Sequence, residues 1–498
     1  MKKLVIIVFI GIGLLFSGCS KWLEVQPQGQ TTEGIIFNTQ QGFKDALIGA
    51  YVRLNSTNLY GESLSYGFIE YLALNWDVTS NQSDLTNTAL RNGNYNDLGV
   101  RGKIDNVFGH QYKLVLDVNG ILANIDAKQG IFEKNIYEII KGEALGLRAL
   151  AHFDAIRLFG PVPTNPGDKK WLPYVKVISK NIGPGLTFQE FMQEVLADLN
   201  EAEALLAKAD PLQKYTLQQL ANDKNLDDFF KYRETRINYY AILALKARVF
   251  QWLAAGNPQY AQDAVKYAKL VLDGQVDGQK HFRLGTEADR ATQNYVMTPE
   301  IIFAAYNELN DGGEAKFGEN GNYFRADSKS GTDFVYLSML FPAAERTSDI
   351  RYKEMWVGKT KVGSENYVYY RKYFQNMLNL ETPINRIPII RLSEMYFILT
   401  EFATSKAEAD QYYRIYCDAK GIPFASTGFN ASNWENDRRT KLIREVVREF
   451  YAEGKAFFNY KRLNMAASPA QYTYTYFIGS EKKYILPKPD REIDYNKL

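Results

Sequence analysis

Apolar residues recur with a period near 3.6 in several long segments of the chain, which is the spacing of amphipathic helices. The clearest segment covers residues 188–206, where the apolar positions fall on one stripe. Thr187 and Glu190 match the Thr-x-x-Glu capping box, and a Gly-Pro-Gly stretch at 183–185 interrupts any helix before it. The pattern therefore predicts a helix that begins at Phe188.

Two further segments have the pattern of helical hairpins. Within 238–272, two stripes of small and apolar residues flank a Gly-Asn-Pro turn. Residues 391–403 followed by 408–421 make a second hairpin, and 441–452 predicts another helix. A period of about 34 residues per helical pair is typical of tetratricopeptide (TPR) repeats, whose full consensus this chain matches only loosely.

Two long stretches, 74–101 and 274–375, have no helical pattern and are rich in Asn, Gly, Asp, Tyr and Phe. Loops of this length inside a compact protein usually carry function, and the aromatic content of these two argues against disorder. The apolar run at 301–304 predicts a short strand. The expected fold is therefore mostly α, with long irregular loop regions and few short strands.

Composition narrows the possible functions. The 498 residues are 46% hydrophobic and 23% charged, and they include 34 Tyr, 29 Phe and 6 Trp, which is ample for a large core. The 59 basic and 57 acidic residues are too evenly balanced for a nucleic-acid binder. Two cysteines exclude a disulfide scaffold and a thiolate zinc site. We expect no nucleic-acid partner, no metal-binding residues and no cofactor.

The charged residues within the helical segments present two alternatives. Glu143, Arg148, Arg391, Glu394 and Glu401 lie among apolar residues at helical spacing. We expect them to form ion pairs within the scaffold. The alternative is that paired carboxylates act as general acid and base, as in glycoside hydrolysis.

The familiar catalytic motifs are absent from the sequence. It contains no His-Glu-x-x-His, Gly-x-Ser-x-Gly, P-loop or Cys-x-x-Cys motif. His152 stands beside Phe153 in a helical segment, so we expect it to be a packing residue. Cys417 is expected to be a buried, small hydrophobic residue. The sequence thus predicts no catalytic residues.

The first nineteen residues resemble a bacterial lipoprotein signal. Lys2 and Lys3 precede an apolar run at 4–16, which is too short to span a membrane as a helix. The Phe-Ser-Gly before Cys19 resembles a lipobox, at which the signal peptide is cleaved. We expect residues 1–18 to be the signal peptide, Cys19 to carry acyl chains and residues 19–34 to form a tether. The alternative is an ordinary signal peptide with an incidental cysteine.

Four segments of the body carry recognisable motifs. They are the Lys-Gly-Glu-Ala run with Phe-Gly-Pro-Val-Pro at 141–163, the Ile-Arg-Leu-Ser-Glu segment at 390–401, the Ile-Arg-Glu to Tyr-Lys-Arg segment at 443–462, and Tyr-Ile-Leu-Pro-Lys-Pro at 484–489. Together with the lipobox, and in this order, they resemble the SusD/RagB family, the lipidated nutrient-binding proteins of Bacteroidetes outer membranes.

The resemblance implies a right-handed superhelical scaffold of TPR-like helix pairs, with the irregular segments packed on it, as a single domain over residues 35–498. It also implies a protein of the outer membrane that is lipid-anchored and faces the cell exterior. The implied partner is a SusC-like TonB-dependent transporter, to which the protein delivers its ligand. That ligand would be a glycan or oligosaccharide, although some members of the family handle peptides.

A sugar-binding site needs flat aromatic faces, with amide, carboxylate and guanidinium groups at their edges. The segment after residue 74 has this composition, and it lies where the family often places ligand contacts. Aromatic and polar residues near 306 and 323 are further candidates. The predicted ligand-binding residues are Trp76, Asn81, Asp84, Arg91, Tyr95, Tyr306, Tyr323, Phe324 and Arg325.

The leading hypothesis is a non-enzymatic surface lipoprotein that captures a glycan and passes it to the transporter. Two other classes of function stay open at this point. One is a lipid-anchored helical glycoside hydrolase whose carboxylates lie in the irregular regions. The other is a TPR-type scaffold that binds proteins.

Overall fold

The computed structural model of the protein describes residues 36–78, 84–181, 183–307, 316–317, 323–326, 329–330, 333–360, 366–373, 385–424, 428–465 and 481–495. The predicted signal peptide, the lipidation site Cys19, the tether and Asn81 lie outside these ranges. The side chain of Arg325 lies outside the described part as well.

The first half of the chain is built mainly from long helices. These are α1 (Gln40–Leu54), α2 (Phe68–Leu72), α3 (Leu85–Arg91), α4 (Leu98–Ile125), α5 (Ile136–Phe159), α6 (Phe188–Ala209), α7 (Leu217–Asn222), α8 (Tyr239–Ala254) and α9 (Ala261–Asp273).

The second half alternates short helices with short strands before helices dominate again. The helices are α10 (Glu287–Ala291), α11 (Val335–Leu340), α12 (Ala343–Arg346), α13 (Ile350–Met355), α14 (Leu392–Glu401), α15 (Lys406–Lys420), α16 (Trp434–Glu449), α17 (Ala456–Arg462), α18 (Glu481–Tyr484) and α19 (Asp490–Tyr495). None of the helices in the described ranges is both long and apolar enough to cross a membrane.

The strands are short and pair antiparallel. They are β1 (Lys170–Leu172), β2 (Leu186–Thr187), β3 (Gln275–Val276), β4 (Gln279–Lys280), β5 (Ile301–Tyr306), β6 (Arg325–Ala326), β7 (Lys329–Ser330), β8 (Asp333–Phe334), β9 (Trp356–Thr360), β10 (Asn366–Tyr370) and β11 (Arg386–Arg391). Strand β10 lies between β6 and β9, whereas the other strands form the pairs β1–β2, β3–β4, β5–β11 and β7–β8.

Helix α5 is the centre of the scaffold and packs between α4 and α6. Every residue of α5 from Gly142 to Phe159 is buried. Two glycines let neighbouring helices approach closely: a Cβ on Gly142 would lie 2.8 Å from Leu206, and one on Gly146 would lie 2.7 Å from Ile242. Both distances are too short for a side chain, so the small residues of this helix determine how closely α6 and α8 pack.

The hairpins predicted from periodicity are present. Helices α8 and α9 flank the turn at 256–258, α9 packs on α14, and α14 packs on α15. Helix α6 begins at Phe188, and Thr187 and Glu190 form the expected capping box. The mostly α fold of TPR-like helix pairs is therefore confirmed.

The predicted irregular stretches are more ordered than their sequence suggested. The segment 74–101 contains α3 and the first residues of α4, and Asp84 and Asp97 cap these helices through their side chains. Within 274–375, the predicted strand is found as β5, which pairs with β11. Helix α16 begins at Trp434, seven residues earlier than the pattern indicated.

Most apolar side chains belong to one large core, and a smaller cluster lies between α14, α15 and α16. Cys417 is buried in the smaller cluster, close to Tyr413, Tyr416 and Phe429. Its predicted position as a small hydrophobic residue is confirmed.

Candidate functional site

A polar cavity of about 230 Å³ opens between the loop that follows α1, helices α2, α3 and α4, and the segment at 323–324. Its walls carry amide, hydroxyl and ring side chains. The described lining residues are Thr57, Asn58, Glu62, Ser63, Phe68, Tyr71, Asn87, Lys103, Asn106 and Tyr323.

The loop between α1 and α2 forms one wall and is held by its own hydrogen bonds. The Ser63 hydroxyl and backbone N–H both donate to the Thr57 carbonyl, at 2.8 Å and 3.0 Å. The N–H of Ile69, in the first turn of α2, donates to the Ser63 carbonyl at 2.9 Å. The wall is therefore rigidly attached to α2, which contributes Phe68 and Tyr71 to the cavity.

Glu62 joins this loop to two distant segments. One carboxylate oxygen accepts a hydrogen bond from Lys316 Nζ and the other from the Tyr323 hydroxyl, each at 2.6 Å. Burial and the adjacent carboxylate raise the pKa of Tyr323 well above its usual value. The phenol therefore stays neutral and acts as a donor to Glu62.

Asn87 leaves an acceptor available at the cavity. Its backbone N–H donates to Asp84 Oδ1 at 3.0 Å, and its side-chain amide N–H donates to Asp84 Oδ2. The Oδ1 atom of Asn87 is buried and has no hydrogen-bond partner among the described residues. A buried acceptor without a partner costs free energy unless a ligand or water donates to it.

A histidine orients an asparagine on the opposite wall. His110 Nδ1 lies 2.9 Å from the Asn106 carbonyl, to which it can only donate, so Nε2 is the acceptor for the Asn58 amide at 3.2 Å. This arrangement uses one N–H of Asn58 and leaves its carbonyl oxygen as a further acceptor. The site can thus offer several hydrogen bonds to a neutral polar molecule.

Beneath the cavity lies an aromatic cluster. The ring of Trp76 packs against those of Tyr323, Phe317 and Tyr451, with centroids 5.8, 6.1 and 5.0 Å apart. Its indole N–H donates to the Tyr66 carbonyl at 2.7 Å. Trp76 is 0% exposed, so the prediction that it offers an open face to a ligand is wrong. It supports the cavity from below because residues from distant segments cover both of its faces.

Other predicted residues lie beside the cavity without lining it. Arg91 forms an ion pair with Asp77 at 2.5 Å, and the Asp77 N–H donates to the Phe324 carbonyl at 3.0 Å. Phe324 is buried, with its ring near that of Tyr367. These contacts attach the segment after α2 to the segment that carries Tyr323.

Tyr95 and Tyr306 are not brought to the cavity. The Tyr95 hydroxyl donates to the Lys483 carbonyl at 2.6 Å, which ties the loop after α3 to the C-terminal segment. Tyr306 is 47% exposed at the end of β5, and its hydroxyl accepts from Asn385 at 3.4 Å. The backbone of Arg325, in β6, pairs with that of Val368 in β10. Of the predicted residues whose side chains the structure describes, only Tyr323 lines the cavity, with Asp84 bonded to Asn87 behind it.

Sequence reasoning missed most of the cavity residues. The loop at 55–67 contains Asn, Ser, Thr, Gly, Glu and Tyr, the same composition that singled out the segment after residue 74. That signal was available but was spread over a short loop between two helices. Lys103 and Asn106 lie on a long helix, where nothing in the local pattern distinguishes them from other solvated positions.

The helical carboxylates are structural ion pairs, as predicted. Glu143 accepts from Arg233 at 2.5 Å and from Arg236 at 2.7 Å, and all three side chains lie beneath α1. Arg148 makes two bonds of 2.7 Å to Asp198. These carboxylates are occupied by guanidinium groups and are not available as general acids or bases.

The same holds in the second half of the chain. Glu394 accepts two bonds from Arg248, at 2.5 and 2.6 Å. Glu401 accepts two from Arg462, at 2.7 and 3.0 Å. Arg391 is 1% exposed and bonds to three carboxylates. Its partners are Glu300, Glu449 and Glu453.

His152 is a packing residue, as predicted. Its ring stacks on Tyr174 at 3.9 Å, Nδ1 faces the Arg148 carbonyl at 2.9 Å, and Nε2 accepts from the Val175 N–H at 3.0 Å. Burial lowers the pKa of His152 to about 3, so it is neutral at physiological pH. Within the described ranges, no group of three or more His, Cys, Asp and Glu side chains is placed to hold a metal ion.

Comparison with known proteins gives two sequence matches, each over less than half of the chain. Residues 21–222 match a SusD-like family described as starch-binding and associating with the outer membrane. A SusD-like protein, P25, from Formosa agariphila is 25% identical over 222 residues, which is 42% of this chain. The match spans 39% of that relative's length.

Solved structures match over nearly the whole chain. A SusD superfamily protein from Bacteroides thetaiotaomicron has a TM-score of 0.67 and 21% identity, and the match covers 92% of this chain and 98% of the other. A SusD-like carbohydrate binding protein from Bacteroides vulgatus has a TM-score of 0.68 and 17% identity, with 92% and 97% covered. Residues 21–222 are therefore similar in sequence to the SusD-like family, and nearly the whole chain shares the fold of these solved SusD superfamily structures.

Proposed function

We propose that the protein is a cell-surface lipoprotein that binds a carbohydrate in the polar cavity and delivers it to a SusC-like TonB-dependent transporter. In this proposal Cys19 carries the lipid anchor, and the protein faces the cell exterior. The cavity is the binding site, and the transporter accepts the released ligand.

The observation that carries the binding role is the chemistry of the cavity wall. Amide and hydroxyl groups of Asn58, Ser63, Asn87 and Asn106 surround a space bounded by aromatic rings. Sugar hydroxyls need such donors and acceptors, and the apolar faces of pyranose rings pack on aromatic side chains. Asn87 Oδ1, which has no partner among the described residues, suits a ligand hydroxyl, and the description of the matching family as starch-binding supports the same ligand class.

Binding is favoured over hydrolysis by the state of the carboxylate. Glycoside hydrolysis uses two carboxyl groups on either side of the scissile bond. Among the described side chains that line the cavity, Glu62 is the carboxylate, and Lys316 and Tyr323 already donate to it. A carboxylate held by two donors in this way stabilises the cavity wall, and it is not placed to transfer a proton to a ligand.

Calorimetric titration of the purified protein with a series of oligosaccharides tests the binding role. We expect dissociation constants between micromolar and millimolar, which correspond to binding free energies of about −8 to −4 kcal/mol. Affinity in this range suits capture followed by release. The double variant Asn58→Ala/Asn106→Ala should weaken binding at least tenfold and leave the circular dichroism spectrum unchanged. The matched control is Asn225→Ala, an exposed asparagine in the loop after α7, which should bind as the unaltered protein does. Release of new reducing ends from the oligosaccharides would favour a hydrolase instead.

The anchor and the transporter need separate tests. Cys19→Ala should abolish incorporation of labelled palmitate and release the protein from the membrane fraction. Affinity purification of the unaltered protein from detergent-solubilised membranes should recover a TonB-dependent barrel. A preparation that binds oligosaccharides but recovers no such barrel would contradict the delivery step and leave the binding role intact.

A further inference from the structure

A second, smaller pocket lies deep between helices α5, α8, α14, α16 and α17, remote in sequence from the polar cavity. Its volume is about 60 Å³, which is room for a few waters or one small polar group. We call it the inner pocket and define it by six wall residues whose side chains are charged or carry an N–H donor. They are Arg157, Arg248, Trp252, Glu394, Lys455 and Arg462.

Three N–H donors on residues of this wall are buried and have no hydrogen-bond partner among the described residues. They are Nε of Arg157, Nη1 of Arg248 and Nε1 of Trp252. The three residues are 4%, 5% and 2% exposed. Donors in this state usually have a water, an ion or a ligand as partner, because an unmade buried hydrogen bond costs about 1–3 kcal/mol.

The charges around the inner pocket do not balance. Four cationic side chains line it, and three carboxylates accept hydrogen bonds from three of them. Asp154 bonds Arg157, Glu394 bonds Arg248, and Glu401 bonds Arg462. Lys455 is the fourth cation; it donates to the Ile389 carbonyl at 2.5 Å and lies 3.5 Å from Glu394, which Arg248 already occupies. A fourth carboxylate, Glu453, also faces Lys455, but it is already paired with Lys372 and Arg391. One additional negative charge in the pocket would therefore neutralise Lys455, which water cannot do.

The inner pocket adjoins a larger surface groove of about 580 Å³, and the two share wall residues such as Gln251, Asn459 and Arg462. The groove is also bordered by Arg438 and Arg439, both on α16. A molecule can therefore place one end in the inner pocket while its remainder occupies the groove.

We propose that the inner pocket binds the carboxylate of a small acidic molecule whose remaining part lies in the surface groove. The indole N–H of Trp252 and the free N–H of Arg248 donate to the carboxylate oxygens, and Lys455 neutralises the charge. This site is built from different elements than the polar cavity, so it does not depend on the carbohydrate site proposed above.

Lys455 makes the binding depend on pH. The charged groups that face it come from every neighbouring element: Arg157, Arg248, Glu394 and Glu453. Burial and the two arginines lower the pKa of Lys455 to about 7, although the carboxylates oppose this. Since only the protonated amine attracts an anion, affinity for a carboxylate should fall as the pH rises through 7.

Calorimetric titration with glucuronate, and with acetate as the bare carboxylate, tests the proposal. Glucuronate should bind, and its affinity should fall several-fold between pH 6 and pH 8. Trp252→Phe keeps an aromatic ring, removes the N–H donor and should weaken binding about tenfold. The matched control is Trp171→Phe, which removes a buried, unpartnered indole N–H outside the pocket and should change nothing.

Lys455→Met should weaken binding and abolish its pH dependence, while Asn58→Ala/Asn106→Ala should bind glucuronate normally. The proposal is overturned if neither anion binds, if Trp252→Phe binds as the unaltered protein does, or if the Asn58/Asn106 variant loses glucuronate binding. The last result would place the anion in the polar cavity.

Discussion

Two regions of the protein collect polar side chains and use them in opposite ways. Around Arg391, the guanidinium is enclosed by carboxylates that in turn bind other cations, and the whole group is buried. At the polar cavity, Asn87 Oδ1 has no hydrogen-bond partner among the described residues, and the bond to His110 uses the amide nitrogen of Asn58 rather than its carbonyl oxygen. A buried charge whose bonds are all made stabilises the fold, whereas a polar wall with unused bonds can bind a ligand.

The largest expected effect comes from the enclosed cation. Arg391→Met leaves Glu300, Glu449 and Glu453 without their shared partner, so we expect the free energy of unfolding to fall by about 3–5 kcal/mol in urea denaturation. The control is Arg283→Met, at an arginine whose side chain is 58% exposed and pairs with Asp289, and it should cost less than about 1 kcal/mol. Equal losses of unfolding free energy in the two variants would contradict the view that the buried ion pairs around Arg391 contribute more to stability than a pair at the surface.

Acid should weaken another enclosed pair. Burial raises the pKa of Glu394, but the guanidinium of Arg248 outweighs it and holds the pKa at about 2. The folded pKa is below the unfolded value of 4.5, so the stabilisation is present above pH 4.5 and is lost as the pH falls toward 2. The unaltered protein should exceed Glu394→Gln in unfolding free energy by about 3 kcal/mol at pH 6, with the difference shrinking below pH 4.5.

Glu70 connects the two regions, because it accepts from the Gly454 N–H at 2.7 Å and holds α2 beneath the cavity. Burial raises its pKa from 4.5 to about 7, although the bonds from Asn75 and Gly454 oppose this. The native state therefore loses stability as the pH rises from 4.5 to 7. The unfolding free energies of Glu70→Gln and the unaltered protein are to be measured by urea denaturation at pH 4.5 and pH 7. Between these pH values, the difference in unfolding free energy should shift by about 2 kcal/mol in favour of the variant.

The smallest expected effect on stability is at the cavity wall. Tyr323→Phe removes the hydroxyl that donates to Glu62, which keeps its bond to Lys316. We expect a loss of about 1 kcal/mol in unfolding free energy and weaker oligosaccharide binding. Tyr215→Phe, at a tyrosine that is 49% exposed, serves as the control. A large loss of stability without any change in binding would show that Tyr323 stabilises the fold, as the buried charges around Arg391 do, and does not contribute to ligand binding.

Sequence-based predictions succeeded where the interactions lie within one segment of the chain, and they failed where residues distant in sequence come together. The helix that begins at Phe188 was predictable because its capping box and apolar stripe lie within one segment. The ion pair of Glu394 was predictable in kind, because a carboxylate among apolar residues needs a cation, but not its partner Arg248, which lies 146 positions away. Trp76 was misassigned because the composition of the segment that contains it suits a binding loop and a core equally well.

By itself, the sequence determined the helical hairpins, the lipoprotein-like N-terminus and the resemblance to the SusD/RagB family, because periodicity, caps and motifs are local in the chain. Only the tertiary structure decided which polar groups are satisfied. Glu62, Asn87, Asn106 and Tyr323 meet at one cavity because four separate segments pack there. Whether a polar atom has a spare hydrogen bond depends on all its neighbours in space, and these are set by packing rather than by adjacency along the chain.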